Sequence, residues 1–233
     1  MKLAVIPARG GSKRIPRKNL REFCGKPMIV HSIHAARDCA LFERIIVSTE
    51  DPEIAAVARA HGAEVPFMRP AALADDHTGT LAVMRHAVQA CRALQWNVEE
   101  VCCLYATAPF VTVQDLRRGL ELLQGEGVQY AFSATDFDFA IQRAIRLKAG
   151  GAVEPVWPEN MARRSQDLEP LYHDAGQFYW GRAEAFATEL PIFAAHSRAV
   201  LLPRARVQDI DTPDDWQRAE WIYRSWMASE PRT

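Results

Sequence analysis

Short apolar runs alternate with amphipathic stretches along most of this chain, and that alternation limits the folds open to it. Leu3 to Ile6, Ile45 to Val47, Ala63 to Phe67, Val101 to Tyr105 and Tyr130 to Ala134 each have the length and apolarity of a buried strand. Between them, helical periodicity places Ile29, Ile33 and Ala36 on one face after Gly25-Lys26-Pro27, and Ile54, Val57 and Ala58 on one face after Asp51-Pro52. Gly62 suits the stop of the second helix. A loop from Asp75 to Thr80 is predicted to deliver Thr78, Gly79 and Thr80 to the start of a helix that runs to about Leu94, and a further helix spans roughly Val113 to Leu123. Strand and helix in turn predict parallel βαβ units, with every polar loop after a strand gathered at one sheet edge. The 233 residues suffice for one substantial core, expected as a single unit over 1–233. From Phe137 to Leu171 the pattern breaks, with prolines at 155, 158 and 170, so 137–171 is expected as a lid, an arm or a dimerisation insertion. Regular structure resumes at Gly176 to Trp180 and at Ala199 to Leu202.

The first of these loops carries chemistry. Arg9 to Asn19 holds the Gly10-Gly11 pair, Ser12 and five cations: Arg9, Lys13, Arg14, Arg17 and Lys18. Glycine lets backbone N–H groups approach a ligand without Cβ interference, and Arg and Lys neutralise anionic oxygens, so the loop suits a polyphosphate. A solvated charged turn is the competing reading. The whole chain balances 28 Lys+Arg against 29 Asp+Glu, so the basicity is local and points to a compact anion rather than a nucleic acid. The spacing fits neither G-x-x-x-x-G-K-[ST] nor G-x-G-x-x-G, which excludes a Walker loop and a dinucleotide fingerprint.

A second constellation lies near the carboxyl end, at Asp209-Ile210-Asp211-Thr212-Pro213. In extended backbone, residues two apart share a face, so Asp209 and Asp211 can present paired carboxylates while Ile210 turns inward. Two hard oxygen ligands suit Mg²⁺, which completes its shell with phosphate oxygens and water. Thr212 and Asp215 are instead predicted to form a capping box for the last helix, with Pro213 at its first position and Trp216, Tyr223 and Trp226 along one side. The five cysteines lack metal-site spacing, and adjacent Cys102 and Cys103 on a strand point to opposite faces, so all five are expected reduced and structural. His31 and His34 share a helix face and are read as packing or surface residues. No apolar run is long enough to span a membrane and no export signal is seen at the amino end, so a cytoplasmic protein with no membrane partner is expected.

Ala4-Val5-Ile6-Pro7-Ala8-Arg9-Gly10-Gly11-Ser12-Lys13 through Pro16-Arg17-Lys18-Asn19 closely resembles the opening of the cytidylyltransferases that act on nine-carbon acidic sugars, the CMP-sialic acid synthetases and their pseudaminic acid relatives. The resemblance is strongest over 3–20 and 204–215. It implies a doubly wound, mostly parallel α/β sheet of the Rossmann-like nucleotide-diphospho-sugar transferase type. It also implies CTP and an acidic sugar as partners, Mg²⁺ on Asp209 and Asp211, and CMP transfer to the anomeric hydroxyl with release of pyrophosphate. Ala8, Arg9, Gly10, Gly11, Ser12, Lys13, Asn19, Arg69 and Thr80 are then expected at the nucleotide, with Arg9, Lys13 and Lys18 assisting the reaction. For Arg69, Thr80 and Asn19 a solvated Arg, a helix-start hydroxyl and a turn Asn are the plain alternatives.

One departure bears on the sugar. Sialate enzymes carry Gln-Pro-Thr-Ser-Pro where this chain has Tyr105-Ala106-Thr107-Ala108-Pro109. A phenol in place of an amide changes the hydrogen-bond code at that edge. With His173 to Trp180, this stretch looks more like the pseudaminic acid enzymes. Tyr105, Thr107, Gln177 and Tyr179 are expected at the sugar, although Phe178-Tyr179-Trp180 reads equally well as core strand. Sialic, legionaminic or 3-deoxy-octulosonic acid is the alternative substrate, a non-catalytic nucleotide-binding protein the alternative of another class, and a homodimer the expected assembly.

Overall fold

A computed structural model describes residues 1–229; positions 230–233, the tail of the expected 1–233 unit, lie outside the described residues. The strands are β1 (Lys2–Pro7), β2 (Glu22–Phe23), β3 (Lys26–Pro27), β4 (Arg44–Ser48), β5 (Glu100–Leu104), β6 (Tyr130–Asp136), β7 (Ile145–Leu147), β8 (Val153–Pro155), β9 (Tyr172–Arg182) and β10 (Ser197–Leu201). The helices are α1 (Met28–Asp38), α2 (Pro52–Ala60), α3 (Thr80–Ala93), α4 (Val113–Leu123), α5 (Ala183–Ala187) and α6 (Pro213–Ser229). Six strands form the main sheet in the order β10-β6-β9-β5-β1-β4. Pairs β1–β4, β1–β5 and β6–β10 are parallel, and β9 runs antiparallel between β5 and β6. The expected mostly parallel, doubly wound sheet is therefore present, with one reversed strand in its middle.

Side-chain alternation along β1 explains why both sheet faces are covered. Ala4 and Ile6 join a core with Ile29, Ile33, Leu116 and Trp180, whereas Leu3 and Val5 join Met84, Val88 and Phe186 on the other face. Cys102 and Cys103 divide the same way, and all five cysteines are free thiols. His31 is buried at the rings of Phe23 and Tyr223, and burial lowers its pKa to about 4.

Two expected elements differ. The run from Ala63 to Phe67 yields only a single bridge, Glu64 to Ile46, because Pro66 has no N–H to extend a ladder. The segment read as Gly176 to Trp180 lies within a longer strand, Tyr172–Arg182. Opposite β6 this strand is irregular: Tyr179 pairs with Phe132, yet Asp174 already pairs with Ala134. Gly176, at φ +60°, takes the left-handed backbone that this bulge needs, and Ser133 Oγ fills the broken ladder by accepting from Gln177 N and Phe178 N at 3.2 Å.

A third apolar cluster fastens distant segments together. Ile15 from the basic loop, Phe23, Met28, Phe110, Ile210 and Trp216 pack as one group, with Ile15 and Ile210 each only 1% exposed. Burying two such side chains contributes roughly 1.5–3 kcal/mol each. Through them the loop after β1 and the acidic segment before α6 are held on the same side of the sheet. Thr212 and Asp215 cap α6 reciprocally, as its sequence predicts.

Between β6 and β9 the chain leaves the sheet. Residues 137–171 form the β7–β8 hairpin and short 3₁₀ turns, with Phe139 87%, Leu147 77% and Val153 61% exposed.

Candidate functional site

The cleft at the carboxyl edge of β1 and β5 has two chambers. The smaller, of about 370 Å³, is lined by Arg9, Ser12, Lys13, Lys18, Asn19, Arg69, Thr80 and Asp211 among others. The larger, of about 1030 Å³, has Gln177, Tyr179, Asp174, Asp209 and Arg204 in its walls, and its far side is built by Phe137 to Ala144. Tyr105 and Thr107 line both and form the partition.

The five cations of the loop divide their attention. Lys18 Nζ donates to the Ile210 carbonyl at 2.6 Å and lies 3.4 Å from Asp211, while Arg14 pairs with the other Asp211 oxygen at 2.9 Å. The basic loop and the acidic pair therefore meet, although 192 residues separate Lys18 from Ile210. Arg9 and Lys13 both reach Asp76, each at 2.5 Å, and Arg9 also donates to the Asp75 carbonyl at 2.9 Å. Those two cations hold the Asp76 carboxyl below the usual carboxylate range. Arg17 turns away to Asp51 and Glu53.

The glycines do something other than the sequence suggests. Gly10 donates its N–H to Glu50 at 2.7 Å, and Glu50 also receives Arg69 at 2.8 Å, so that amide faces a carboxylate and not the chamber. A Cβ at Gly10 would sit 2.3 Å from Asp51 Oδ2, so the small residue is required by the approach of Asp51. Ala8 is likewise engaged, its N–H donating to Ser48 at 3.0 Å and its side chain buried. Ala8, Gly10 and Gly11 stand outside the chamber lining, whereas Arg9, Ser12, Lys13, Asn19, Arg69 and Thr80 lie in it. Asn19 braces the loop by donating to the Arg9 carbonyl at 2.9 Å. Arg69 is nearly buried, and its Nε lacks a protein partner.

At the partition, the end of β5 presents Tyr105, whose N–H donates to the Gln177 carbonyl at 2.9 Å and whose carbonyl accepts from Ser32 at 2.7 Å. Its hydroxyl shares a 2.7 Å bond with Thr80. Gln177 is 3% exposed and its Nε2 is held by the Arg206 carbonyl at 2.6 Å, so it is a strut of the larger chamber as well as part of its wall. Tyr179 packs into the apolar core while its hydroxyl donates to Asp174. The ring of Tyr179 thus belongs to the core, as the strand reading expects, and the residue also lines the larger chamber.

Asp209 and Asp211 face different chambers across the partition. Crowding by protein atoms, with repulsion from Asp211 next, raises the Asp209 pKa. Among the described residues no group of three or more His, Cys, Asp or Glu side chains could hold a metal unaided. Two carboxylates in mutual repulsion fit a hard divalent cation that takes its remaining oxygens from a ligand. Sequence reading missed Asp76, Glu50 and Asp174. Asp76 is 67 residues from Arg9, and no local pattern reports that proximity.

A family model described as Cytidylyltransferase matches residues 3–211. Pseudaminic acid cytidylyltransferase of Campylobacter jejuni subsp. jejuni serotype O:2 is 41% identical over 222 residues, covering 95% of this chain and 96% of that protein. CMP-N,N'-diacetyllegionaminic acid synthase of Legionella pneumophila is 32% identical over 225 residues, 94% of each chain. Among solved structures, CMP:2-keto-3-deoxy-manno-octonic acid synthetase complexed with CTP superposes with a TM-score of 0.70 at 19% identity, covering 97% of this chain and 99% of that one, which is a likeness of fold.

Proposed function

Because this chain belongs to the cytidylyltransferase family, matched over 3–211, we propose that it transfers CMP from CTP to the anomeric hydroxyl of pseudaminic acid, releasing pyrophosphate. The similarity to the Campylobacter jejuni enzyme over nearly the full length of both chains supports this sugar. The observation that carries the reaction is Lys18 bridging the basic loop to Ile210 and Asp211, because it sets the loop's cations beside Asp211 in the smaller chamber, with Asp209 across the partition.

The triphosphate occupies the smaller chamber, where Arg9, Ser12, Lys13 and Lys18 take its oxygens once Asp76 withdraws. The sugar occupies the larger chamber, and its hydroxyl meets the α-phosphorus beside Tyr105 and Thr107. Mg²⁺ held by Asp209 and Asp211 would supply charge neutralisation at the phosphoryl oxygens. Substitution at phosphorus needs positioning and electrostatic stabilisation rather than a covalent intermediate. Lys18 fits that need, since its ammonium is fixed at two points and loses little freedom on meeting an anion. Incubation with CTP, Mg²⁺ and pseudaminic, legionaminic, N-acetylneuraminic or 3-deoxy-octulosonic acid tests the assignment. Pyrophosphate release is expected to be fastest with pseudaminic acid. Release with none of the four rejects the reaction, and a faster rate with another sugar rejects the substrate.

The exposed apolar side chains of 137–171 support a homodimer, since Phe139, Leu147 and Val153 lie uncovered on one excursion of a single chain. Sedimentation is expected to give twice the 26.2 kDa chain mass, and the double substitution Leu147→Glu, Val153→Glu to give the chain mass alone. A monomeric parent protein ends this part of the reading. Five free thiols suit a reducing compartment, which supports the cytoplasm as its location. Among the described residues no helix is long and apolar enough to cross a membrane.

A further inference from the structure

The walls of the larger chamber are themselves acidic. Asp136, Asp138, Asp174 and Asp209 line it, against the guanidinium groups of Arg143, Arg204 and Arg218. Like charges repel in a partly enclosed site, so an anionic sugar entering here needs a cation that is not already neutralised. Arg204 is neutralised: its Nε lies 3.4 Å from Asp136 and its Nη1 3.3 Å from Asp138, and Nη1 also donates to the Phe137 carbonyl at 3.2 Å. Among the described residues Arg143 has no ion pair, and its side chain makes one long bond, 3.4 Å to Ser165 Oγ. Arg218 has neither a hydrogen bond nor an ion pair to any described side chain.

The chemistry of the sugar chooses between these two cations. When a 2-keto acid sugar closes to a ring, its anomeric carbon bears both the carboxylate and the reacting hydroxyl. The cation must therefore stand where that carbon meets the nucleotide, at the partition made by Tyr105 and Thr107. Arg143 belongs to the far side, on the excursion between β6 and β9. Arg218 belongs to α6, which starts at Pro213, just past Asp211. On either side of it Trp216 and Ala219 are buried, 3% and 0% exposed, and hold the helix against Phe110, close in sequence to Thr107. Ile222, one turn further along, lines the same chamber, and Gln208 reaches Asp215, one turn earlier, at 3.5 Å. The backbone beneath Arg218 is thus fixed beside the reacting end while its guanidinium stays uncommitted. A planar fork of N–H donors matches a carboxylate at two points.

We propose that Arg218 is a specificity-determining residue that receives the sugar carboxylate, so that the larger chamber takes a sugar bearing a carboxyl group on its reacting carbon and rejects a neutral one. This rests on the sugar occupying the larger chamber. Arg204, held by Asp136 and Asp138, shapes the wall instead of reading the charge.

Pyrophosphate release with CTP, Mg²⁺ and either pseudaminic acid or its primary carboxamide tests the idea, because the amide keeps the size of the carboxylate and removes its charge. The parent protein is expected to prefer the acid in kcat/KM by about ten-fold or more, the scale of one charge-assisted hydrogen bond. In Arg218→Met that preference is expected to shrink to within about three-fold, chiefly through a raised KM for the acid, with the KM for CTP kept. Arg218 is exposed and ties no segment down, so the variant is expected to fold as the parent does. Arg218→Lys keeps the charge without the fork and is expected to retain part of the preference. Arg143→Met is expected to leave the ratio as it is. An unchanged ratio in Arg218→Met, a collapse in Arg143→Met instead, or a parent protein indifferent between acid and amide overturns the proposal while leaving the cytidylyl reading intact. A parent protein inert toward the acid and the amide alike overturns both.

Discussion

Asp211→Asn is expected to lower kcat for pyrophosphate release by about 10²–10³-fold, the scale of losing one fixed electrostatic contact to a transition state. The fold should be nearly untouched. Asp211 pairs with Arg14, which is 66% exposed, and with Lys18 at 3.4 Å, and ion pairs at such sites contribute about 0–1 kcal/mol. Its backbone N–H, which donates to Asp215 at 3.2 Å, survives the change. The neutral amide keeps the shape while removing the charge opposite Asp209. The competing role is that of an anchor that merely steadies Lys18 and Arg14, and steady-state kinetics separate the two. An anchor predicts a raised KM for CTP with kcat preserved, whereas the metal role predicts a fall in kcat and a much higher Mg²⁺ requirement. A variant with kcat within about three-fold of the parent would remove Asp211 from the metal site.

Asp115→Ala is expected to cost about 3–5 kcal/mol of folding stability, the range found when one partner of a buried ion pair is removed. Arg206 meets Asp115 through two bonds, 2.6 Å and 3.1 Å, with side-chain exposures of only 17% and 9%. The same carboxylate closes the capping box of α4, accepting from the Thr112 N–H at 3.0 Å and its hydroxyl at 2.7 Å. Truncation therefore strands a guanidinium and uncaps a helix at once. Against a typical domain stability of about 5–15 kcal/mol the loss is large. Urea unfolding should show a lowered midpoint, and Asp115→Asn, which keeps an acceptor for Thr112, should lose less. A loss below about 1 kcal/mol for the alanine variant would mean that water reaches Arg206 readily. Because the Arg206 carbonyl also holds Gln177, the destabilised protein should bind sugar poorly as well.

What could be read from residue order divides by the range of the interaction. The helix at Val113–Leu123, the Thr212–Asp215 box and the split of Cys102 and Cys103 follow from spacings of one to four residues, and each is found where its pattern points. The meeting of the basic loop with Asp211 was also legible, because both sit beside strands that parallel topology sends to one edge. Asp76 was not. It belongs to an ordinary polar loop, and only the path of the chain between Arg69 and Thr80 brings it onto Arg9 and Lys13. The reversed direction of β9 was equally hidden, since an apolar strand reads the same both ways. The role of Gly10 was misjudged for a related reason. Glycine marks a close approach without saying from which side, and here Asp51 is the neighbour that arrives.

The carboxylate of Asp76, tethered to the same chain as Arg9 and Lys13, gives the resting cleft a quenched mouth. Any anion in solution competes with a resident group whose effective concentration, for a short tether, is in the millimolar range or above. On the proposed reading, a lone phosphate ion would gain little by that exchange, whereas a chain of phosphates long enough to reach Lys18 as well would replace Asp76. Under that proposal, Asp76 would favour longer phosphate chains over single phosphate ions.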